Sequence, residues 1–137
     1  MRPDLTAFAG LWRVARVIRH ADGQVARFSG QAEWRAEGDG WRSAEVGTLT
    51  QGATAFEARR ETLWQADGDT IAVSFADGRP FHHIPPVARP RATHDCPPDD
   101  YRLAYDFTAW PHWSVRWRVT GPRKDYRALT RYARITP

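Results

Sequence analysis

The run Gln24-Val25-Ala26-Arg27-Phe28-Ser29-Gly30-Gln31-Ala32-Glu33-Trp34-Arg35 changes character at nearly every step. Phe28, Gly30, Ala32 and Trp34 fall on one side, and Arg27, Ser29, Gln31, Glu33 and Arg35 on the other. A period of two belongs to an extended strand with one dry and one wet face, because successive side chains leave opposite faces of the backbone.

The same signal spreads outward in both directions. Leu11 to His20 reads as a strand that Ala21-Asp22-Gly23 turns back, and beyond Glu37-Gly38-Asp39-Gly40 follow strands over Trp41 to Thr50 and Ala53 to Gln65. In the latter, Phe56, Ala58, Arg60, Thr62 and Trp64 alternate with Glu57, Arg59 and Glu61. Asp67-Gly68-Asp69 and Ala76-Asp77-Gly78 bracket a short strand, Thr70 to Phe75; Asp-Gly pairs suit hairpins because glycine accepts the positive φ those turns require. Arg79 to Ile84 is one more strand. Pro85 to Pro98 is expected to be a long irregular loop, since proline supplies no ladder N–H. Tyr101 to Phe107, Trp113 to Thr120 and Tyr126 to Ile135 complete the series, and Asp4 to Ala9 reads as a helical turn capped by Asp4. Nine or ten strands joined by tight turns imply an all-β chain. The expected fold is a single antiparallel up-and-down barrel of about 8–10 strands over residues 1–137, with a sandwich as the alternative.

Composition narrows the function classes. The 137 residues carry a formal charge of +4, almost all of the positive charge arginine, since Lys124 is the only lysine. Seven tryptophans suit an aromatic-rich core or cavity. Cys96 is the only cysteine, so no intrachain disulfide forms. The first residues show no apolar run of signal-peptide length, and no stretch approaches a membrane span, so a cytoplasmic protein without a membrane partner is expected.

Phe8-Ala9-Gly10-Leu11-Trp12 resembles the opening of lipocalins and fatty-acid-binding proteins, in which a helical turn leads into Gly-X-Trp. The resemblance implies that Trp12 closes the barrel floor and that Arg134 or Arg131 on the last strand packs over its ring. Four further segments are Glu45-Val46-Gly47, Phe75 to His82, His94 to Tyr101 and Val119 to Tyr126. With them the chain resembles the bacterial domain of unknown function 6314 family, a calycin-like (lipocalin-like) barrel. That resemblance implies the fold and carries no activity.

Alternation from Trp12 turns Arg16 inward, and the same rule gathers Glu45, Arg60, His83, Tyr105, Trp117, Tyr132 and Arg134 as candidate ligand-binding residues. Three arginines against one glutamate leave a cationic interior, suited to a small anionic or amphipathic ligand. A structural alternative has Glu45 paired with Arg60 and Arg134 covering Trp12. No catalytic motif, cofactor or metal is assigned. A second reading places an enzyme, metal or haem site at His83, His94 and Cys96. A third uses outward arginines (Arg13, Arg19, Arg116, Arg118, Arg127, Arg131) as a protein-interaction surface, with nucleic acid not expected and a homo-oligomer left open.

Overall fold

The computed structural model describes residues 1–136. A 3-10 turn, Leu5–Phe8, precedes ten strands: β1 (Gly10–His20), β2 (Val25–Glu37), β3 (Gly40–Gln51), β4 (Thr54–Asp67), β5 (Thr70–Phe75), β6 (Pro80–Ile84), β7 (Arg91–Cys96), β8 (Asp99–Asp106), β9 (Trp113–Thr120) and β10 (Asp125–Thr136). They form one antiparallel sheet in the order β6-β5-β4-β3-β2-β1-β10-β9-β8-β7. The first and last long strands are hydrogen-bonded to each other, Trp12 opposite Arg134 and His20 opposite Tyr126, so the sheet rolls into a barrel. Its two edges, β6 and β7, meet without a ladder. Phe75, Phe81, His94 and Tyr101 bridge that seam, Phe81 lying 5.2 Å from the His94 ring and 6.1 Å from Tyr101. No helix of the described chain is long and apolar enough to cross a membrane.

Strand ends fall within two residues of those expected, with one addition. The segment Pro85 to Pro98 is not irregular throughout: Arg91–Cys96, six residues free of proline, forms β7 and pairs with β8. The prolines of this segment stay out of the β7–β8 ladder, and β7 lies at an edge of the sheet. Even the shortened loop is held, since Ala88 and Pro90 carbonyls accept from the N–H groups of Phe107 and Tyr105. The N-terminal turn also differs in detail. Asp4 occupies the cap position, but its backbone carbonyl, not its side chain, accepts from Ala7.

The floor is an aromatic plug. Phe8 is fully buried, with the rings of Trp34, Trp64, Phe107, Trp110 and Trp113 at 5.1–6.0 Å. Trp12 donates its indole N–H to the Phe8 carbonyl at 2.8 Å, which satisfies the one polar atom of a buried ring. The guanidinium of Arg134 lies 4.1 Å over Trp12 and donates to the carbonyls of Ala9 and Ala7. Arg134 therefore belongs to the floor and not to a ligand cavity. Replacing it with alanine removes a cation–π contact and leaves two carbonyls without that donor, a loss of about 2–3 kcal/mol. A lower urea midpoint with an unchanged denaturant slope is the expected readout.

Candidate functional site

At mid-height the inner face carries a charged network. From β3, Glu45 is 4% exposed and accepts from Arg16 of β1 at 2.8 Å, Arg60 of β4 at 3.1 Å and the Tyr132 hydroxyl of β10 at 2.7 Å. Arg16 also donates to Thr130 at 2.8 Å. The register explains how Arg16 reaches so far. Arg16 and Phe28 share one row of the inner face, Glu45 and Ala32 lie two rows below, and Val14, Gly30 and Gly47 fill the row between. Gly30 and Gly47 face each other without side chains, and the arginine passes over them. A Cβ on Gly30 would lie 2.7 Å from the Gly47 Cα and collide with the Val46 carbonyl, all of it backbone.

Burial alone would raise the Glu45 pKa, but the charges of Arg60 and Arg16 and the Tyr132 hydrogen bond hold it below the ordinary carboxylate range. Burial likewise works against charge on Arg60, and Glu45 more than offsets it, so Arg60 stays cationic. Two guanidiniums against one carboxylate leave the network with one surplus positive charge. Arg60 is the accessible member, 38% exposed, with its guanidinium 4.9 Å from the Trp117 ring.

Beside this network lies a cavity of about 30 Å³, bounded among others by Arg60, His82, Tyr105, Trp117, Glu45 and Tyr132. Four of its lining residues carry a buried nitrogen with no partner in the protein: the indole nitrogens of Trp34, Trp113 and Trp117, and Nδ1 of His82. The other ring nitrogen of His82 shares a 2.7 Å hydrogen bond with the Tyr105 hydroxyl. Indole N–H groups only donate, and an unpartnered buried donor costs about 1–3 kcal/mol.

Of the eight residues expected to line a site, Arg16, Glu45, Arg60, Tyr105, Trp117 and Tyr132 converge here. Arg134 sits in the floor. His83 requires a correction: it faces outward, its side chain 57% exposed and 3.2 Å from Asp67. The inward histidine is His82. Strand β6 carries a bulge, Val73 pairing with His82 and Ser74 with Pro80, which leaves Phe81 as the extra residue. Phe81 and His82 are consequently both buried. A bulge breaks alternation at the residue where it occurs, and nothing in Arg79 to Ile84 announces it.

The His83, His94 and Cys96 grouping does not assemble either. His83 points out, Cys96 is exposed, and His94 stands 5.6 Å from both Phe75 and Tyr101 in the seam. No group of three or more His, Cys, Asp or Glu converges as a metal site among the described residues.

The outer arginines do come together. Arg19, Arg127, Arg118 and Arg102 are successive register partners across β1, β10, β9 and β8. With Arg27, Arg91, Arg116 and Arg131 they line one groove of about 780 Å³ on the outside of the sheet. Arg118 is paired with Asp125 and Arg102 with Asp100. Arg13 lies in the adjoining hollow beside Arg131. Alternation places five of the eight groove arginines, Arg19, Arg116, Arg118, Arg127 and Arg131, on outer faces; Arg27, Arg91 and Arg102 join them through strand order.

His82 provides a pH signature. Burial, then the charges of His94, Arg60 and His83, lower its pKa from 6.5 to about 3. Above pH 6.5 it is neutral whether the chain is folded or unfolded, and its contribution to stability is complete. Below that, the unfolded chain takes up a proton that the folded chain refuses, so stability falls with pH until about pH 3. The slope approaches about 1.4 kcal/mol per pH unit. Glu45, with its lowered pKa, adds a loss of the same sign only at more acidic pH. Urea unfolding from pH 6.5 to 4.5 is expected to show a falling midpoint in the native protein and a much flatter one in His82→Gln, which keeps a polar partner for Tyr105.

The barrel is similar to a solved structure named S-type phycobiliprotein lyase CPES from Guillardia theta, with a TM-score of 0.66 and 7% identity over 97% of this chain and 91% of that one. At that identity the likeness establishes the shared barrel fold. No curated protein matches the sequence. Residues 8–134 match the family described as "Family of unknown function (DUF6314)", and the chain belongs to that family.

Proposed function

We propose that the barrel is a binding module for a small, acceptor-rich anion held at mid-height between Arg60, His82, Tyr105 and Trp117. The carrying observation is that the residues lining one cavity include four with an unpartnered buried nitrogen and the surplus guanidinium of Arg60. Three of those nitrogens are obligate donors, so the complementary guest brings acceptors. Carboxylate and phosphate oxygens fit a guanidinium fork, and the rings of Trp117 and Phe81 favour a flat body. The volume of about 30 Å³ is that of a water or two, so the guest enters as Arg60, the half-exposed wall, swings outward. Long aliphatic tails suit it poorly. The Guillardia theta relative, by its name a lyase acting on phycobiliprotein, supports the idea of a barrel that engages another molecule, and nothing in it specifies the guest.

Protein purified from its own host is expected to weigh more in native than in denaturing mass spectra. Arg60→Gln should lose that extra mass while unfolding within about 1 kcal/mol of the native protein, because Glu45 keeps Arg16 and Tyr132. Equal masses under both conditions would overturn the proposal.

A second reading rests on the arginine groove. Like charges directly opposite each other on neighbouring strands are destabilising, and Arg19 and Arg127 in the row of four have no ion-pair partner among the described residues, which favours an acidic protein partner. Arg127→Glu with Arg116→Glu is expected to abolish retention on heparin, a polyanion stand-in, well below the salt that elutes the native protein. Native protein that flows through at low salt would refute this reading.

A further inference from the structure

Strand β4 is fourteen residues long and β5 only six. Their ladder runs from Thr62 to Asp67, so Thr54 to Glu61 is bonded to β3 on one side and to no strand on the other. A bare edge of this length is a template for another strand, and proteins usually blunt it with proline, a bulge or a covering loop. Thr54-Ala55-Phe56-Glu57-Ala58-Arg59-Arg60-Glu61 contains no proline and its pairing with β3 runs without a register shift, so its only guard is its charges, Glu57, Arg59, Arg60 and Glu61. Phe56, at an inward position of the alternation, is 51% exposed because no strand lies beside it.

We infer that this edge pairs antiparallel with the same edge of a second copy. The sequence is self-complementary about Ala58. With Ala58 opposite Ala58, Glu57 of each copy faces Arg59 of the other, and Phe56 of each faces Arg60 of the other. Glu57 and Arg59 belong to no ion pair within the described chain, so both are free to make one between copies. Sliding the register by one step, to Arg59 opposite Arg59, sets like charges against each other and Glu57 against Glu61, which disfavours it. Twofold symmetry doubles each favourable pair. Pairing also lays Phe56 of one copy beside the half-exposed Arg60 of the other, closing the side of the barrel nearest the inner network. This inference stands whether or not the cavity takes a guest.

Sedimentation velocity over a concentration series is expected to show a monomer–dimer equilibrium for the native chain. Arg59→Glu places two pairs of glutamates in contact and should weaken association by about tenfold or more. The exchanged variant, Glu57→Arg with Arg59→Glu, restores opposite charges across the same register and should return association to near the native level. Thermal melts of the three proteins should coincide at concentrations where all are monomeric, since both side chains are exposed. A native chain that stays monomeric at every concentration would overturn the inference. So would a dimer indifferent to Arg59→Glu, or an exchanged variant as weak as the single one.

Discussion

Glu45 is the carboxylate on which the inner architecture turns. It is nearly inaccessible, and it joins four strands, accepting on β3 from β1, β4 and β10. An ion pair taken out of water gains little net stability, because the cost of dehydrating both charges is close to their attraction. What such a group contributes is position. Removing the carboxylate would leave two guanidiniums facing each other across the barrel with nothing between them, a far worse outcome than losing a surface pair. The network thus fixes which residues of β1, β4 and β10 lie at one height, and the bare Gly30–Gly47 row lets the long Arg16 side chain reach its partner.

That arrangement divides the interior into two regions with different physics. Below, the Trp12–Phe8 plug is satisfied: its indole N–H has an acceptor, and Arg134 is spent on the ring face and two carbonyls. Above, two guanidiniums share one carboxylate, and three indole donors lack acceptors among the described residues. Trp34, Trp113 and Trp117 present N–H groups, and Arg60 is held by a single contact to Glu45 and the face of Trp117. Tyr105 and Tyr132 have their pKa values raised by burial and remain neutral phenols, the Tyr132 hydrogen donated to Glu45 and the Tyr105 hydroxyl shared with His82. A filled base beneath a donor-rich middle is the geometry on which the proposed anion site rests.

The period of two made most of this legible. With Trp12 set inward, alternation places Glu45, Arg60, Tyr105, Trp117 and Tyr132 on the cavity lining and Arg16 on Glu45 beside it, because no bulge falls between each of them and the residues that set its strand's phase. Arg134 obeyed the same rule and reached the floor instead, since alternation gives the face of a sheet but not the height at which a side chain ends. His83 and His82 exchanged roles for a different reason. The bulge at Phe81 is a backbone event of one residue, and it inverts every position after it. β7 was hidden by the prolines on either side of Arg91–Cys96, which mark the ends of a strand as readily as they exclude one.

The unpaired edge illustrates a kind of information that sequence holds but local patterning does not use. Strand lengths for β4 and β5 follow from the turns at Gln51–Thr54, Asp67–Thr70 and Ala76–Gly78, each visible as a glycine-bearing break. Comparing them shows that β5 turns back before it can cover its neighbour, whatever the side chains are. A strand that covered it would come from another copy, since the ten strands of this barrel, open only at the β6–β7 seam, leave no spare element among the described residues. Complementarity of Glu57 with Arg59 then selects among partners by chemistry, where the missing ladder had only selected by geometry. Mismatch in length creates the opening, and the charge pattern beside it decides what can fill it.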